Sequence, residues 1–352
     1  MRAGIPMSRS SFDSTTPTVA ITAGDPNGIG PEIIAKALHH HDRTKCLPVV
    51  IGDPAVLEPC FARWAPGTTL VPAGEGSAAG STPGPHHILT IDPTPDPHYL
   101  FPSIPEAVYI QHAVEGCLSG RYQAMVTAPI CKHAMYARGF RFPGHTEFVA
   151  HLTGVSDPTM MFVADGLRVS LVTIHLPLGR AIEQVTHTSV CRTIRVTAQA
   201  LQDLFGVANP SIAVCGLNPH AGEEGHLGRE EQVTIIPAIA EVRAEGLDIK
   251  GPLPSDSLFP LAVEGKFDAV VAMYHDQGLI PVKLLSFRQA VNLTVGIPIV
   301  RASVDHGVAY DLAGKGVADP SSLRAALRVA AEIANRRLRG GGQEATGSSK
   351  EA

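Results

Sequence analysis

At 352 residues the chain exceeds the size at which one hydrophobic core keeps growing, so one large or two coupled α/β domains are expected. Apolar residues make up 44% and charged residues 17%, which leaves ample core for a globular protein, and a net charge of −5 leaves no basic stripe for nucleic acid or a membrane surface. No apolar run approaches the roughly 20 residues a bilayer-spanning helix needs, and the opening MRAGIPMSRSSFDSTTP has no apolar h-region, so no secretory signal is expected.

In chain order, residues 1–17 read as a flexible tail, as do residues 341–352 at the other end. PTVAITAG predicts a strand that leads to the helical pattern PEIIAKALHHH, and CLPVVIGD leads in the same way to PAVLEPCFARWA. Residues 73–105, rich in Gly, Pro and Ser, read as a long loop or insertion. Further strands are expected in YQAMVTAP, LRVSLVTIH, PSIAVCGLNPH and FDAVVAMYH, with a helix in REEQVTIIPAIAEVRAEG and a terminal amphipathic helix in SSLRAALRVAAEIANRRLR. Short β-branched runs alternating with helices indicate a largely parallel sheet. Six cysteines without a CxxC pair, several inside apolar runs, suit a reducing compartment, and the cytoplasm is expected.

Three of these strands end in histidine. His175, His220 and His275 close successive apolar runs 45 and 55 residues apart, room for a strand–helix–strand excursion each time. Carboxyl ends of parallel strands lie together, where ligands collect. Three imidazoles there suit a divalent cation with one open position. Each also suits an isolated hydrogen-bonding role at a strand end. Asp256 and Asp276 are candidates to orient the rings, or are turn residues. ITAGDPNGIGPEI lacks the dinucleotide glycine spacing and reads equally as a tight turn or a ligand loop. In PGHTEF, Thr146 is a candidate helix N-cap, and His145 with Thr146 could meet an anion at a helix N-terminus. Lys283, Asn292 and Arg301 each border an apolar run and together would form a carboxylate- and phosphate-binding set.

With TAGDPNGIGPEI, PGHTEF, GLNPHAGEEGH, GPLPSDSLF, AMYHDQGLIPVK and SVDHGVAYDLAGKGVADP in this order, the chain resembles the 4-hydroxythreonine-4-phosphate dehydrogenases of vitamin B6 synthesis, the PdxA family, over about residues 18–338. The resemblance implies two α/β/α domains with largely parallel sheets, like isopropylmalate and isocitrate dehydrogenases, with the active site in the cleft between them. The expected units are residues 18–140 plus 287–340 on the nucleotide side and residues 141–286 on the metal and substrate side. It implies a divalent metal on His175, His220 and His275, in a homodimer whose site takes its last histidine from the partner subunit. The ion is left open among zinc, magnesium and cobalt. Substrate contacts are implied for His145, Thr146, Lys283, Asn292 and Arg301. HGVAYDLAGKG is similar to the adenosine loop of isopropylmalate dehydrogenase, which implicates His306, Gly307 and Asp311 in nucleotide binding. A carboxylate at Asp311 would repel a 2′-phosphate, so NAD is favoured over NADP.

The implied reaction oxidises a small phosphorylated hydroxy-amino acid at C3 and decarboxylates the resulting β-keto acid. The general base stays open among Asp256, Asp276, Lys283 and water. Rival expectations are a sister dehydrogenase of threonate or erythronate 4-phosphate or of a dihydrodiol dicarboxylate, a metal-dependent hydrolase, and a phosphate-ligand binding protein.

Overall fold

The computed structural model describes residues 16–72, 87–93 and 96–344. Its strands are β1 (Thr18–Thr22), β2 (Leu47–Ile51), β3 (Thr69–Pro72), β4 (His87–Ile91), β5 (Ala124–Thr127), β6 (Thr159–Ala164), β7 (Leu167–Leu171), β8 (Ser211–Cys215), β9 (Asp248–Leu253), β10 (Ala269–Ala272), β11 (Val291–Val295) and β12 (Arg301–Ser303). Its helices are α1 (Gly30–Leu38), α2 (Pro54–Trp64), α3 (Pro105–Leu118), α4 (Lys132–Ala137), α5 (His145–Leu152), α6 (Leu178–Gln184), α7 (His187–Phe205), α8 (Ile236–Ala244), α9 (Ser255–Val263), α10 (His275–Ser286) and α11 (Ser321–Glu344).

The strands form one continuous sheet in the order β3-β4-β2-β1-β5-β12-β11-β6-β7-β10-β8-β9. Parallel pairing builds one block from β3 to β12 and a second from β7 to β9. Between the blocks, β11 and β6 pair antiparallel with each other and with their outer neighbours, so the strand direction reverses at the middle of the sheet. Parallel strands need apolar residues on both faces because crossover helices cover both. Accordingly β1, β5 and β10 are buried at every position.

Strand alternation separates the cores of the second block. β10 sends Ala269 and Val271 to the core under α7 and α8, and Val270 and Ala272 to the core under α9 and α10, as a side-chain period of two requires. A larger core gathers residues from Val19 to Met161 and from Val291 to Ala334. Helix α7 is fixed at both ends: Thr186 and Ser189 form a capping box, and Gly206 closes the helix at φ 70°.

Two sequence expectations need correction. Residues 73–105 are not all loop, because HILTI forms β4 and pairs with both β2 and β3. This short run was hidden by the Gly and Pro on either side. Residues 341–344 continue α11 rather than joining a tail. The remaining parts of the expected tails, 1–15 and 345–352, lie outside the described residues.

Candidate active site

Arg301 opens β12 and is 2% exposed. Its guanidinium donates to Thr127 Oγ1 at 2.7 Å and Thr294 Oγ1 at 2.9 Å, with Thr146 Oγ1 at 3.5 Å. Register explains the ring of hydroxyls, since Arg301 stands opposite Thr294 on β11 while Thr127 ends the other neighbouring strand, β5. These partners are neutral. Burial pushes the Arg301 pKa down to about 10, against an opposing pull from Glu147. Placing a charge there costs several kcal/mol unless something completes it.

The cavity beside Arg301 has a volume of about 360 Å³ and is also lined by Lys132, His145, Thr146, His175 and Asn292. Arg301 Nε, His145 Nε2 and Asn292 Oδ1 are buried and have no hydrogen-bond partner among the described residues. Buried polar atoms are normally satisfied. Three such atoms among the residues of one cavity could be satisfied by a polar ligand, and the guanidinium beside them would suit an anionic group on it.

His145 begins α5, whose N-cap is Gly144. Thr146 is therefore the second helical residue and not the cap expected from sequence; its hydroxyl faces Arg301 instead. An aromatic cluster holds this helix start, with Phe148 on α5 meeting Phe140 edge-on at 5.1 Å and Phe101 at 5.8 Å. Burial, then Arg301 and Lys132, hold the His145 pKa well below its ordinary 6.5. A histidine with a depressed folded pKa takes up its proton on unfolding, so its contribution to stability is present above pH 6.5 and lost as pH falls below it. The ligand-free protein should melt at progressively lower temperature from pH 7 to pH 5, and His145→Gln should flatten that slope. An unchanged slope would show that His145 takes up its proton as readily in the folded chain as in the unfolded one.

The three strand-end histidines follow β7, β10 and β8, which are adjacent and parallel. The rings of His175 and His275 lie 5.8 Å apart between centroids. His275 Nδ1 is 2.8 Å from Oδ1 of the neighbouring Asp276. Burial, then Lys132 and His275, lower the pKa of His175, which favours its neutral, ligating form. His220 is exposed and lines a separate cavity of about 540 Å³ together with Asp256 and Asp276. The trio does not close to metal-binding distance within one chain: among the described residues the one group of three His, Cys, Asp or Glu ligand atoms within 4.8 Å of one another lies elsewhere, on α7 and α8. The donor set nevertheless fits a cation, with imidazole nitrogens following three neighbouring strands and a carboxylate beside one of them.

The loop that carries His220 is costly. His220, Ala221, Gly222, Glu223 and Glu224 all have positive φ, between 41° and 82°. Left-handed backbone costs roughly 1–2 kcal/mol per non-glycine residue, so something must hold it. Glu231, 1% exposed, accepts from the backbone N–H groups of Leu217 and Asn218 at 2.7 Å and from Asn218 Nδ2 at 2.9 Å. Gln277 supplies a second strut. It accepts from Met273 N at 2.6 Å and donates to Gly216 O at 2.7 Å and Ser255 Oγ at 2.8 Å, which ties the ends of β10 and β8 to α9. Neither residue was given a role from the sequence, because each stands in a polar run, at 229–232 and 274–278, where nothing local shows which backbone groups it reaches.

Lys283, in α10, forms an ion pair with Asp305 at 3.0 Å, and Asp305, His306 and Gly307 line the Arg301 cavity. The glycine loop after β1 is a turn built for close packing. Gly24 has φ +73°, and a Cβ there would lie 2.3 Å from Pro129 O. The loop meets the 306–316 segment through Ile29 N to Val308 O at 2.9 Å and Tyr310 Oη to Asp25 Oδ2 at 2.6 Å. Asp311 is exposed on that segment and is not among the residues lining the cavity. Lys132 and Asp305 are cavity residues that sequence reasoning passed over; their signal was available, since each follows a strand end of the same design.

Comparison with known proteins follows the same outline. The family model described as "Pyridoxal phosphate biosynthetic protein PdxA" matches residues 44–330. A 4-hydroxythreonine-4-phosphate dehydrogenase of Desulforapulum autotrophicum is 45% identical over 90% of this chain and 95% of its own length. A D-threonate 4-phosphate dehydrogenase of Cupriavidus necator is also 45% identical, over 91% of this chain and 98% of its own. The crystal structure of a 4-hydroxythreonine-4-phosphate dehydrogenase from Burkholderia phymatum superposes with a TM-score of 0.79 at 43% identity, covering 90% of this chain and 98% of that one. Full-length matches of this identity, together with a family model spanning most of the chain, establish that the chain belongs to the PdxA family.

Proposed function

We propose that the enzyme oxidises 4-hydroxy-L-threonine 4-phosphate at C3 with NAD and decarboxylates the product to 3-amino-2-oxopropyl phosphate, within pyridoxal 5′-phosphate synthesis. The observation that carries this reading is the buried Arg301 with its neutral hydroxyl ring, beside three unsatisfied polar groups and next to His175. A phosphate or carboxylate would complete the guanidinium in its planar fork. Lys283, poised by Asp305, supplies a second cation and a candidate proton carrier. Asp256 and Asp276, beside His220, are the carboxylates available as base.

His175, His220 and His275 would hold the divalent metal, whose chemistry when bound is that of a Lewis acid for the substrate's hydroxyl and carbonyl oxygens. On this reading the third ligand comes from a second copy of the chain. Support comes from α10 itself, where Ile280, Leu284 and Phe287 are 59%, 82% and 75% exposed at i, i+4 and i+7. Such a stripe at the start of which His275 stands is suited to burial against a partner. The two units, 18–140 with 287–340 and 141–286, border the site on this reading: the larger core lies mainly in the first and the two smaller cores almost wholly in the second, with Phe148, Val149, Met161, Ala200 and Leu204 joining the larger one. All six cysteines are free, which suits the cytoplasm. No helix among the described residues is long and apolar enough to cross a membrane.

Family membership implies a nucleotide cofactor. For Asp311 as its ribose partner, Asp311→Asn should raise KM for NAD about tenfold and narrow the preference over NADP, with kcat little changed; an unaltered KM removes Asp311 from the site. The identity of the Cupriavidus necator relative keeps D-threonate 4-phosphate as the second reading. Glu147 in the cavity favours the amine-bearing substrate, since its carboxylate can meet an ammonium. Absorbance of NADH with each phosphate, with and without chelator, decides between them: turnover of threonate phosphate alone would overturn the B6 assignment, and turnover unaffected by chelator would remove the metal.

A further inference from the structure

One face of α7 carries His187, Cys191 and Arg195 at intervals of four, so the three side chains stack along the helix and meet α8. His187 Nε2 lies 3.4 Å from Glu241 Oε2, and Cys191 Sγ lies 4.0 Å from the same His187 nitrogen. All three ligand atoms fall within 4.8 Å of one another. A tetrahedral zinc ion with one thiolate, one imidazole and one carboxylate sets its donor atoms roughly 3.3–3.6 Å apart. Two of the observed separations therefore lie within about half an ångström of that spacing, a closure that side-chain torsions can supply.

The carboxylate is oriented from behind. Arg195 Nη2 donates to Glu241 Oε1 at 2.6 Å, which leaves Oε2 turned toward His187. Arg195 is itself held by Glu245. Cys191 is 2% exposed, and its thiol donates to Ala238 O at 3.5 Å. Cys191 is thus fixed between the two helices.

We infer that His187, Cys191 and Glu241 form a second metal site, independent of the strand-end histidines, that takes zinc or a similar thiophilic divalent ion and clips α7 to α8. The thiolate selects against magnesium and calcium. Binding forms three metal–ligand bonds, leaves water in the fourth position and releases the Cys191 thiol proton to solvent. Thiolate and carboxylate then neutralise the dication.

Cobalt(II) reads this site without reference to activity. A thiolate on cobalt gives a sulfur-to-metal charge-transfer band in the near ultraviolet, whereas an all-histidine site gives none. Metal-free full-length protein titrated with cobalt should show that band, and zinc should displace it. It should disappear in Cys191→Ser and persist in His220→Ala. Arg195→Ala should weaken the titration about tenfold, as loss of an orienting partner does. His187→Ala, at a half-exposed position, guards against misfolding as the cause and should shift the midpoint to higher cobalt while leaving the melting temperature of the metal-free protein unchanged. A wild-type protein without the band, or a band that survives in Cys191→Ser or is indifferent to His187→Ala, overturns the assignment.

Discussion

Replacing Arg301 with methionine is expected to lower kcat/KM by about three orders of magnitude while leaving the ligand-free protein as stable or more so. The two effects come from one cause. Arg301 is buried among hydroxyls with no carboxylate bonded to it, and its pKa of about 10 still leaves it protonated near neutrality. Removing one partner of a buried charge pair typically costs about 2–5 kcal/mol, so the complex with an anionic substrate should lose roughly 10³-fold. The free protein has no such pair to lose. Exchanging an incompletely compensated buried charge for an apolar chain of similar reach is often neutral or stabilising by about 1–4 kcal/mol. The hydroxyls of Thr127 and Thr294 lose a donor, which offsets part of that gain. A melting temperature unchanged or up by a few degrees is the net expectation. Kinetics and thermal melts on one preparation check both parts. Arg301→Lys should rescue little, because an ammonium cannot span two hydroxyls and still present a fork. A destabilised variant with intact turnover would make Arg301 a structural cation and remove the anion pocket from the mechanism.

How far the sequence could be read depended on whether a feature was local. The apolar runs that became β1, β5, β7, β8 and β10 announced themselves by composition, and the histidines after the last three by abrupt termination. The antiparallel insertion of β11 and β6 did not, because strand direction is decided by connections rather than by residues, and MMFVA reads the same either way. β4 was hidden for a different reason, a short strand set among turn formers. At the site, Arg301 was legible as one of an anion-binding set with Lys283 and Asn292 but not as a buried residue, since a single cation beside an apolar run is ordinarily a solvated side chain. Its burial arises from cross-strand register with Thr294 and Thr127, information that no window of sequence holds. Glu231 and Gln277 were illegible for the same reason, since each acts on backbone atoms far along the chain. The His187–Cys191–Glu241 group combines both cases: the i, i+4 pair is local, but Glu241 joins it only through helix packing.

Heterodimers built from two inactive variants should reveal which chain supplies which histidine. His175→Ala, His220→Ala and His275→Ala should each reduce turnover by about three orders of magnitude or more, as loss of a metal worth several kcal/mol implies. Purified heterodimers, selected with two different tags, then separate the arrangements. If His175 and His220 come from one subunit and His275 from the other, a His175→Ala/His275→Ala pair collects both lesions in one of its two sites. The other site is intact, and about half of wild-type activity returns, with one metal ion per dimer in place of two. His220→Ala with His275→Ala should behave likewise. His175→Ala with His220→Ala should stay inactive, because each site then carries one lesion. The approach of the His175 and His275 rings to 5.8 Å within a single chain gives this experiment its edge. Were those two to act from the same subunit, the pattern would invert: the 175/275 pair would remain dead and the 175/220 pair would recover. A heterodimer set with no recovery in any pairing would instead confine the site to one chain, and the exposed stripe of Ile280, Leu284 and Phe287 would then mark contact between subunits without a shared site.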